Sequence, residues 1–305
     1  MKISKNVPVR VRVMSVFVGV VTVVFFTIAL YDDIKLHFFS EDVAADVETI
    51  IIPETQVPLA SGPVPLYDLS QGYRIEGMTQ SELTDFFRID HTIGNHVAFC
   101  GNTIWDESNV SFEKGEMELS LNPNQSAGEN YWLGAQVSAL SGTSYGLYEA
   151  EIKPYAKTPG VVTAFFLYSF STLDEIDIEF NSRNPYQVEF NYFAKGIDLG
   201  TTAGLVTIDL DFDAYADYHT YGFYYGPDIV VWYIDGEEAY RTDYSRTPET
   251  VNSKLIAMMS IWAGGDKYVD WLGQTVVPVD GTTISAYFRA VRYTPVDSMN
   301  IVPQN

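Results

Sequence analysis

The most informative stretch of the chain is Asp174-Glu175-Ile176-Asp177-Ile178-Glu179-Phe180. On a β-strand successive side chains point to opposite faces, so Glu175, Asp177 and Glu179 share one face and Ile176, Ile178 and Phe180 the other. The apolar set reads as a core stripe. Three carboxylates in a row repel one another and contribute nothing obvious to folding, so they point to chemistry. Glycoside hydrolysis uses such a set: one carboxylate attacks the anomeric carbon while a second, protonated, donates to the leaving oxygen. On a straight strand the Cα atoms of Glu175 and Glu179 lie about 13 Å apart, from a rise of ~3.4 Å per residue. A retaining mechanism needs the carboxyl groups about 5–5.5 Å apart, which two long Glu side chains leaning inward on a concave strand can reach. Asp177, between them, can hydrogen-bond one neighbour and by like-charge coupling hold a proton on the other. The bland alternative is a solvated strand face that is acidic by chance.

Neighbouring runs weaken that alternative. Phe166, Tyr168, Asn191 and Phe193 have the spacing to face the same way from flanking strands. Rings and amides around paired carboxylates describe a sugar cleft, because apolar sugar faces stack on rings and hydroxyls need polar partners. The elements that must position these residues are short runs rich in Val, Ile, Tyr and Phe: Phe112–Leu121, Tyr145–Lys153, Val161–Tyr168, Glu175–Phe180, Gln187–Phe193, Thr220–Tyr225, Val230–Asp235, Leu255–Trp262 and Ile284–Tyr293. Asp235-Gly236 is a hairpin-type turn between two of them. Only Gln80–Phe87 has a short helical pattern, with Ser81 as a cap. Many short strands without intervening helices predict an all-β fold, a jelly-roll β-sandwich of two antiparallel sheets.

The charge balance narrows the partners. With 18 Lys+Arg against 40 Asp+Glu, the net charge of −22 disfavours nucleic acid and sulfated or uronate-rich polymers. A neutral polysaccharide fits best, and no cofactor is called for. One cysteine, Cys100, excludes an intramolecular disulfide framework and any Cys-based metal cluster. Val13 to Leu30 carry no charge, follow Lys2, Lys5, Arg10 and Arg12, and precede Asp32 and Asp33. That length is close to the ~20 residues of a membrane span and exceeds the roughly 7–15 of a signal-peptide core. The chain therefore divides into a signal anchor (an N-terminal transmembrane helix) or a cleaved signal peptide over 1–31, a Pro-containing acidic linker over 32–66, and a catalytic domain over 67–305. Either way the domain is exported, held at the cell membrane or released as a secreted or periplasmic protein. Nothing resolves the oligomeric state, and a monomer is the default expectation.

Asp-Glu-Ile-Asp-Ile-Glu-Phe resembles the E-x-D-x-E active-site signature of glycoside hydrolase family 16, the clan of lichenases, laminarinases and xyloglucan transglycosylases. Gly115-Glu116-Met117, Tyr145-Gly146-Leu147-Tyr148-Glu149, Val188-Glu189-Phe190-Asn191-Tyr192, His219-Thr220-Tyr221, Trp232-Tyr233-Ile234-Asp235-Gly236, and Trp262 with Asp270-Trp271-Leu272-Gly273 resemble bacterial lichenase segments in the same order. The resemblance implies a concave jelly-roll cleft and a double-displacement, configuration-retaining mechanism. It implies Glu175 as nucleophile, Glu179 as acid/base and Asp177 as assisting carboxylate. Phe166, Tyr168, Asn191, Trp262 and Trp271 match positions that line the sugar subsites.

The departures are as specific. Leu173 stands where lichenases have a stacking Trp, and Gln136 and Ser138 stand where they carry Glu and Arg, so a charged pair for sugar hydroxyls has become neutral. Cys100 falls near the first cysteine of the lichenase disulfide, but the partner region reads Tyr131-Trp132, so that bridge is absent. A lichenase calcium ligand aligns with Arg289, whose guanidinium would repel a metal there, so no metal is expected. The first functional expectation is an endo-β-glucanase acting on β-1,3/1,4-glucan. A glucan transglycosylase of cell wall or exopolysaccharide is the alternative, and a non-catalytic glycan-binding protein the third.

Overall fold

A computed structural model describes residues 11–12, 72–91, 101–124, 131–198, 205–227, 229–243, 254–280 and 282–296. In chain order the strands of three or more residues are β1 (Tyr73–Glu76), β2 (Phe87–Ile89), β3 (Thr103–Trp105), β4 (Val110–Glu113), β5 (Glu116–Pro123), β6 (Trp132–Ala139), β7 (Gly146–Lys153) and β8 (Val161–Tyr168). They continue as β9 (Glu175–Asn181), β10 (Gln187–Ala194), β11 (Val206–Asp209), β12 (His219–Tyr225), β13 (Ile229–Ile234), β14 (Glu237–Asp243), β15 (Ile256–Ala263) and β16 (Ile284–Pro295). Two short helices, α1 (Gln80–Phe86) and α2 (Val269–Leu272), sit at the periphery.

The strands form an all-β jelly-roll sandwich. The front sheet runs β11-β10-β9-β8-β15-β6-β2, antiparallel throughout. The back sheet runs β14-β13-β12-β7-β16, and β16 then pairs with both β5 and β1, with β4 outside β5. At one end the sheets join where Asn122 and Pro123 pair with Leu133 and Trp132. One short parallel pairing, β3 on β6, departs from the antiparallel expectation.

The two sheets differ in how their faces are covered. In β7 every second residue is buried, so one face packs on the core and the other meets solvent. In β8 every residue is buried, and in β9 all but the last. Ile176, Ile178 and Phe180 point into the main core between the sheets. A second apolar cluster on the front sheet's outward face includes Trp105, Ala164, Phe166, Tyr168, Met258, Trp262, Tyr268 and Leu272.

Behind the acidic residues the back sheet holds β9 directly. Trp232, on β13, stacks on Phe190 with ring centroids 5.6 Å apart and an interplanar angle of 13°. Its indole N–H crosses the core to donate to the Asp177 carbonyl at 3.0 Å. Phe180 meets Tyr221 edge to face at 4.7 Å.

Several expectations need correction. Phe112–Leu121 is two strands, because Lys114 and Gly115, at φ +54° and +79°, turn the chain back. The cap of α1 is Thr79, not Ser81: Thr79 Oγ1 accepts the Glu82 N–H at 3.3 Å. Strand β6 carries little strand signal in the sequence, because Gly134, Ala135, Ser138 and Ala139 are small and weak β-formers. Asp235-Gly236 does turn between β13 and β14, at φ +49° and +79°. Arg289 bulges out of β16; its carbonyl accepts the Gly77 and Met78 N–H groups. Its guanidinium reaches Glu116 and Glu151 at 3.2 and 3.4 Å and lies over the Tyr218 ring. The apolar segment Val13–Leu30, the linker over 32–66 and Cys100 lie outside the described residues. Among the described residues no helix is long and apolar enough to cross a membrane.

The Trp232 bond gives a stability test. Trp232→Phe removes the donor and part of a fully buried ring, and a loss of about 2 kcal/mol is expected. A denaturation curve should show a lower midpoint at unchanged slope. An unchanged midpoint would mean the bond adds nothing to the fold.

Candidate active site

Strand register brings the predicted residues together in rows on the front sheet's outward face. Glu175 lies between Tyr168 and Phe193, and Asp177 between Phe166 and Asn191. Glu179 lies between Ala164 and Glu189. Directly opposed residues hold their Cβ atoms about 4.5–5.5 Å apart, so each carboxylate has its flanking side chains within reach. Glu175, Asp177 and Glu179 are only 4%, 4% and 9% exposed. Recessed carboxylates in a row cost the fold free energy, which is the mark of a site kept for its chemistry. Ala164 and, one strand further, Ser260 are small, which leaves room beside Glu179.

The entry to β9 is pinned. Asp174, first residue of the signature, is structural: its Oδ1 accepts the Lys195 N–H at 2.8 Å and its Oδ2 the Thr172 hydroxyl at 2.7 Å. Leu173 sits at φ +60°, a left-handed conformation costing roughly 1–2 kcal/mol for an L-residue. Its N–H and C=O bond to Ser169 and Gly196, both at 2.8 Å, and its side chain packs on the outward aromatic cluster. Burial first, and the Glu175 carboxylate second, push the Tyr168 hydroxyl well above the usual tyrosine range, so it remains a neutral donor.

The two tryptophans differ. Trp262 lies on β15 and is 1% exposed, a floor ring. Trp271 comes from α2, is half-buried, and meets Trp262 and Tyr268, each with centroids 6.1 Å away.

Two features were missed. The first is Glu189, whose carboxylate is buried and accepts the Trp271 indole N–H at 2.9 Å. A signal for it existed: Glu189 shares strand parity with Asn191 and Phe193. The second corrects the expectation of a neutral sheet end. Gln136 Nε2 donates to Asp90 Oδ2 at 2.8 Å, the Ser138 hydroxyl bonds the same carboxylate, and Arg88 Nε pairs with Asp90 at 2.9 Å. Arg88 is registered opposite Ser138 on edge strand β2. A charged pair therefore does stand at this end of the face, on the neighbouring strand. Three residues of β2 carry too little pattern to have revealed it.

This geometry defines a class: a jelly-roll sandwich built around a recessed face of alternating carboxylates floored by aromatic rings. Residues 100–277 match the model of glycosyl hydrolases family 16. A beta-glucanase of Acetivibrio thermocellus is 34% identical over 209 residues, covering 67% of this chain and 57% of that protein. A beta-glucanase of Bacillus licheniformis is 37% identical over 199 residues, covering 63% of this chain and 75% of that one. The crystal structure of a prokaryotic beta-1,3-1,4-glucanase (lichenase) derived from a mouse hindgut metagenome superposes with a TM-score of 0.62 at 29% identity, covering 74% of this chain and 100% of that one. The chain belongs to glycosyl hydrolase family 16. It spans 57% of the length of the Acetivibrio relative.

Glu189 yields a pH prediction. Burial pushes its carboxyl up from 4.5 to about 7, against the opposing pull of Trp271, Asn181 and Arg183. A carboxyl whose pKa is raised on folding stabilises the fold below the unfolded value, and that contribution is lost as pH rises through the folded value. Between pH 4.5 and 7.5 this one group should cost the protein about 3 kcal/mol of stability, a cost Glu189→Gln does not incur. Denaturant midpoints of the two proteins should separate over that range, with the variant the more stable at high pH. A gap that does not change with pH would show that Glu189 does not titrate there.

Proposed function

We propose that this chain is an exported, retaining endo-β-glucanase that cleaves β-1,3/1,4-glucan through a glycosyl-enzyme intermediate. The observation that carries the reading is the register of β9. It sets Glu175, Asp177 and Glu179 on one recessed face, with Tyr168, Phe166, Asn191 and Phe193 directly beside them. Similarity to proteins named beta-glucanase supports the substrate class.

In the first step the Glu175 carboxylate attacks the anomeric carbon as the glycosidic C–O bond breaks, and Glu179 gives its proton to the departing oxygen. In the second, Glu179, now a carboxylate, takes a proton from water. The resulting hydroxide equivalent attacks the same carbon and releases Glu175. Two inversions restore the starting configuration. The charge of Asp177 between them disfavours a further negative charge, which keeps the proton on Glu179 in the resting enzyme. Phe166, Tyr168, Phe193, Trp262 and Trp271 supply apolar surface for sugar rings, and Asn191 an amide for a hydroxyl. Export rests on Val13–Leu30, read as a membrane anchor or signal peptide that leaves the catalytic domain outside the cytoplasm.

The test is release of reducing ends by the full chain from mixed-linkage β-glucan, β-1,3-glucan, xyloglucan and a sulfated galactan. Activity is expected on the neutral glucans, with retained β configuration at the new reducing end. Glu175→Gln should abolish turnover, and Glu179→Gln should lower kcat about 10²–10⁴-fold. Inverted product, or full activity in either variant, would overturn the mechanism. Products longer than the substrate would favour transfer over hydrolysis, and glycan binding without turnover would favour a recognition protein.

A further inference from the structure

We propose that Glu189 is a positioning residue that holds the Trp271 indole as a fixed sugar-stacking platform beside Glu179. The inference rests on the reading of this face as a glucan-cleaving site.

Trp271 is carried by α2, a four-residue helix, and such an element cannot by itself fix a ring. Its orientation is set from the β9–β10 hairpin. The Trp271 carbonyl accepts the Asn181 amide at 3.1 Å and an Arg183 guanidinium N–H at 3.0 Å. Asn181 is the last residue of β9, and Arg183 follows it in the turn. The indole N–H, a donor with no acceptor capacity, is met by the Glu189 carboxylate from β10 at 2.9 Å. Glu189 is in turn registered directly opposite Glu179. The strand that carries the acid/base, its hairpin partner and the turn between them thus clamp the tryptophan from both backbone and ring.

Two further observations point to the indole's use. Within the Trp262, Tyr268 and Trp271 group the first two are 1% and 6% exposed, and Trp271 is the one that is only half-buried. A buried carboxylate is also a poor choice for stabilising a fold, since its desolvation costs more than one hydrogen bond returns. Holding the Trp271 ring at a defined angle beside the reacting groups accounts for that cost, because the indole N–H needs an acceptor and a side-chain carboxyl oxygen at 2.9 Å supplies one from a fixed direction. The ligand is a sugar ring of the neutral glucan, lying on Trp271 next to the bond that Glu179 protonates.

The experiment compares the full chain with Glu189→Leu, Glu189→Gln and Trp271→Phe, by near-ultraviolet circular dichroism and by kinetics on mixed-linkage β-glucan. Trp271→Phe identifies the band of the ordered indole. Glu189→Leu should lose that band and raise KM about ten-fold with kcat held within about three-fold, the size expected for one aromatic stacking contact. Glu189→Gln keeps an acceptor for the indole and should restore both the band and KM. Should Glu189→Leu fail to fold, Glu189→Met takes its place. The proposal is overturned if the apolar variant keeps the Trp271 band and the wild-type KM. It is equally overturned if the variant loses kcat at constant KM and Gln does not restore it, which is the pattern of a merely structural residue. Absence of turnover in the wild type would sink the hydrolase reading, while the dichroism would still decide whether Glu189 positions Trp271.

Discussion

The candidate site of this molecule depends on one strand, β9, being covered on both faces. Ile176, Ile178 and Phe180 are buried in the core between the sheets, while Glu175, Asp177 and Glu179 are recessed on the opposite face. A strand's side chains have a period of two, so a slip of one residue would drive three carboxylates into the core and expose three apolar side chains. Burying unpaired carboxylates is far costlier than any alternative pairing could return, so the register has no close competitor. The Trp232 indole N–H reaching the Asp177 carbonyl adds a directional bond from the back sheet to the middle of the acidic triad.

From that constraint the composition of the site follows. Antiparallel pairing fixes which residues stand beside each carboxylate, and β8 and β10 contribute Phe166, Tyr168, Asn191, Phe193 and Glu189 through register alone. The outward apolar cluster on β8 and β15 does not hold the sheets together, since it lies on the far side of the front sheet from the main core. Its physical role is to surround the carboxylates with low-dielectric surface, where charge–charge and hydrogen-bond interactions are stronger than in water. Trp271, a ring that register does not place, is held by side chains from the same hairpin. A loop residue thereby acquires some of the precision of the sheet.

Charges elsewhere follow the ordinary logic of an acidic surface. Arg289, in its bulge, lies between Glu116 and Glu151 on the solvent side of the back sheet, and Arg88 pairs with Asp90 at the edge of the front sheet. The first pair of contacts relieves repulsion within a glutamate-rich face. The second supplies a charged group to the end of the site where Gln136 and Ser138 are neutral.

The sequence by itself determined what strand periodicity and composition can carry: an all-β chain, the acidic triad on one face of a strand, and the aromatic and amide residues of matching parity around it. Those are local properties, because side-chain alternation is set by the backbone of the strand itself. Short or small-residue strands were illegible for the same reason. Three residues of β2 show no period, and the Gly, Ala and Ser of β6 show no hydrophobic contrast, so Arg88 and Asp90 could not be placed. Glu189 had the right parity, yet its partner lies 82 positions away on a helix of four residues. Only tertiary structure decided that pairing, because the chain must fold before the β15–β16 connection can meet the β9–β10 hairpin. Trp262 lay in a legible strand run, but only packing made it the floor of the candidate site, 1% exposed.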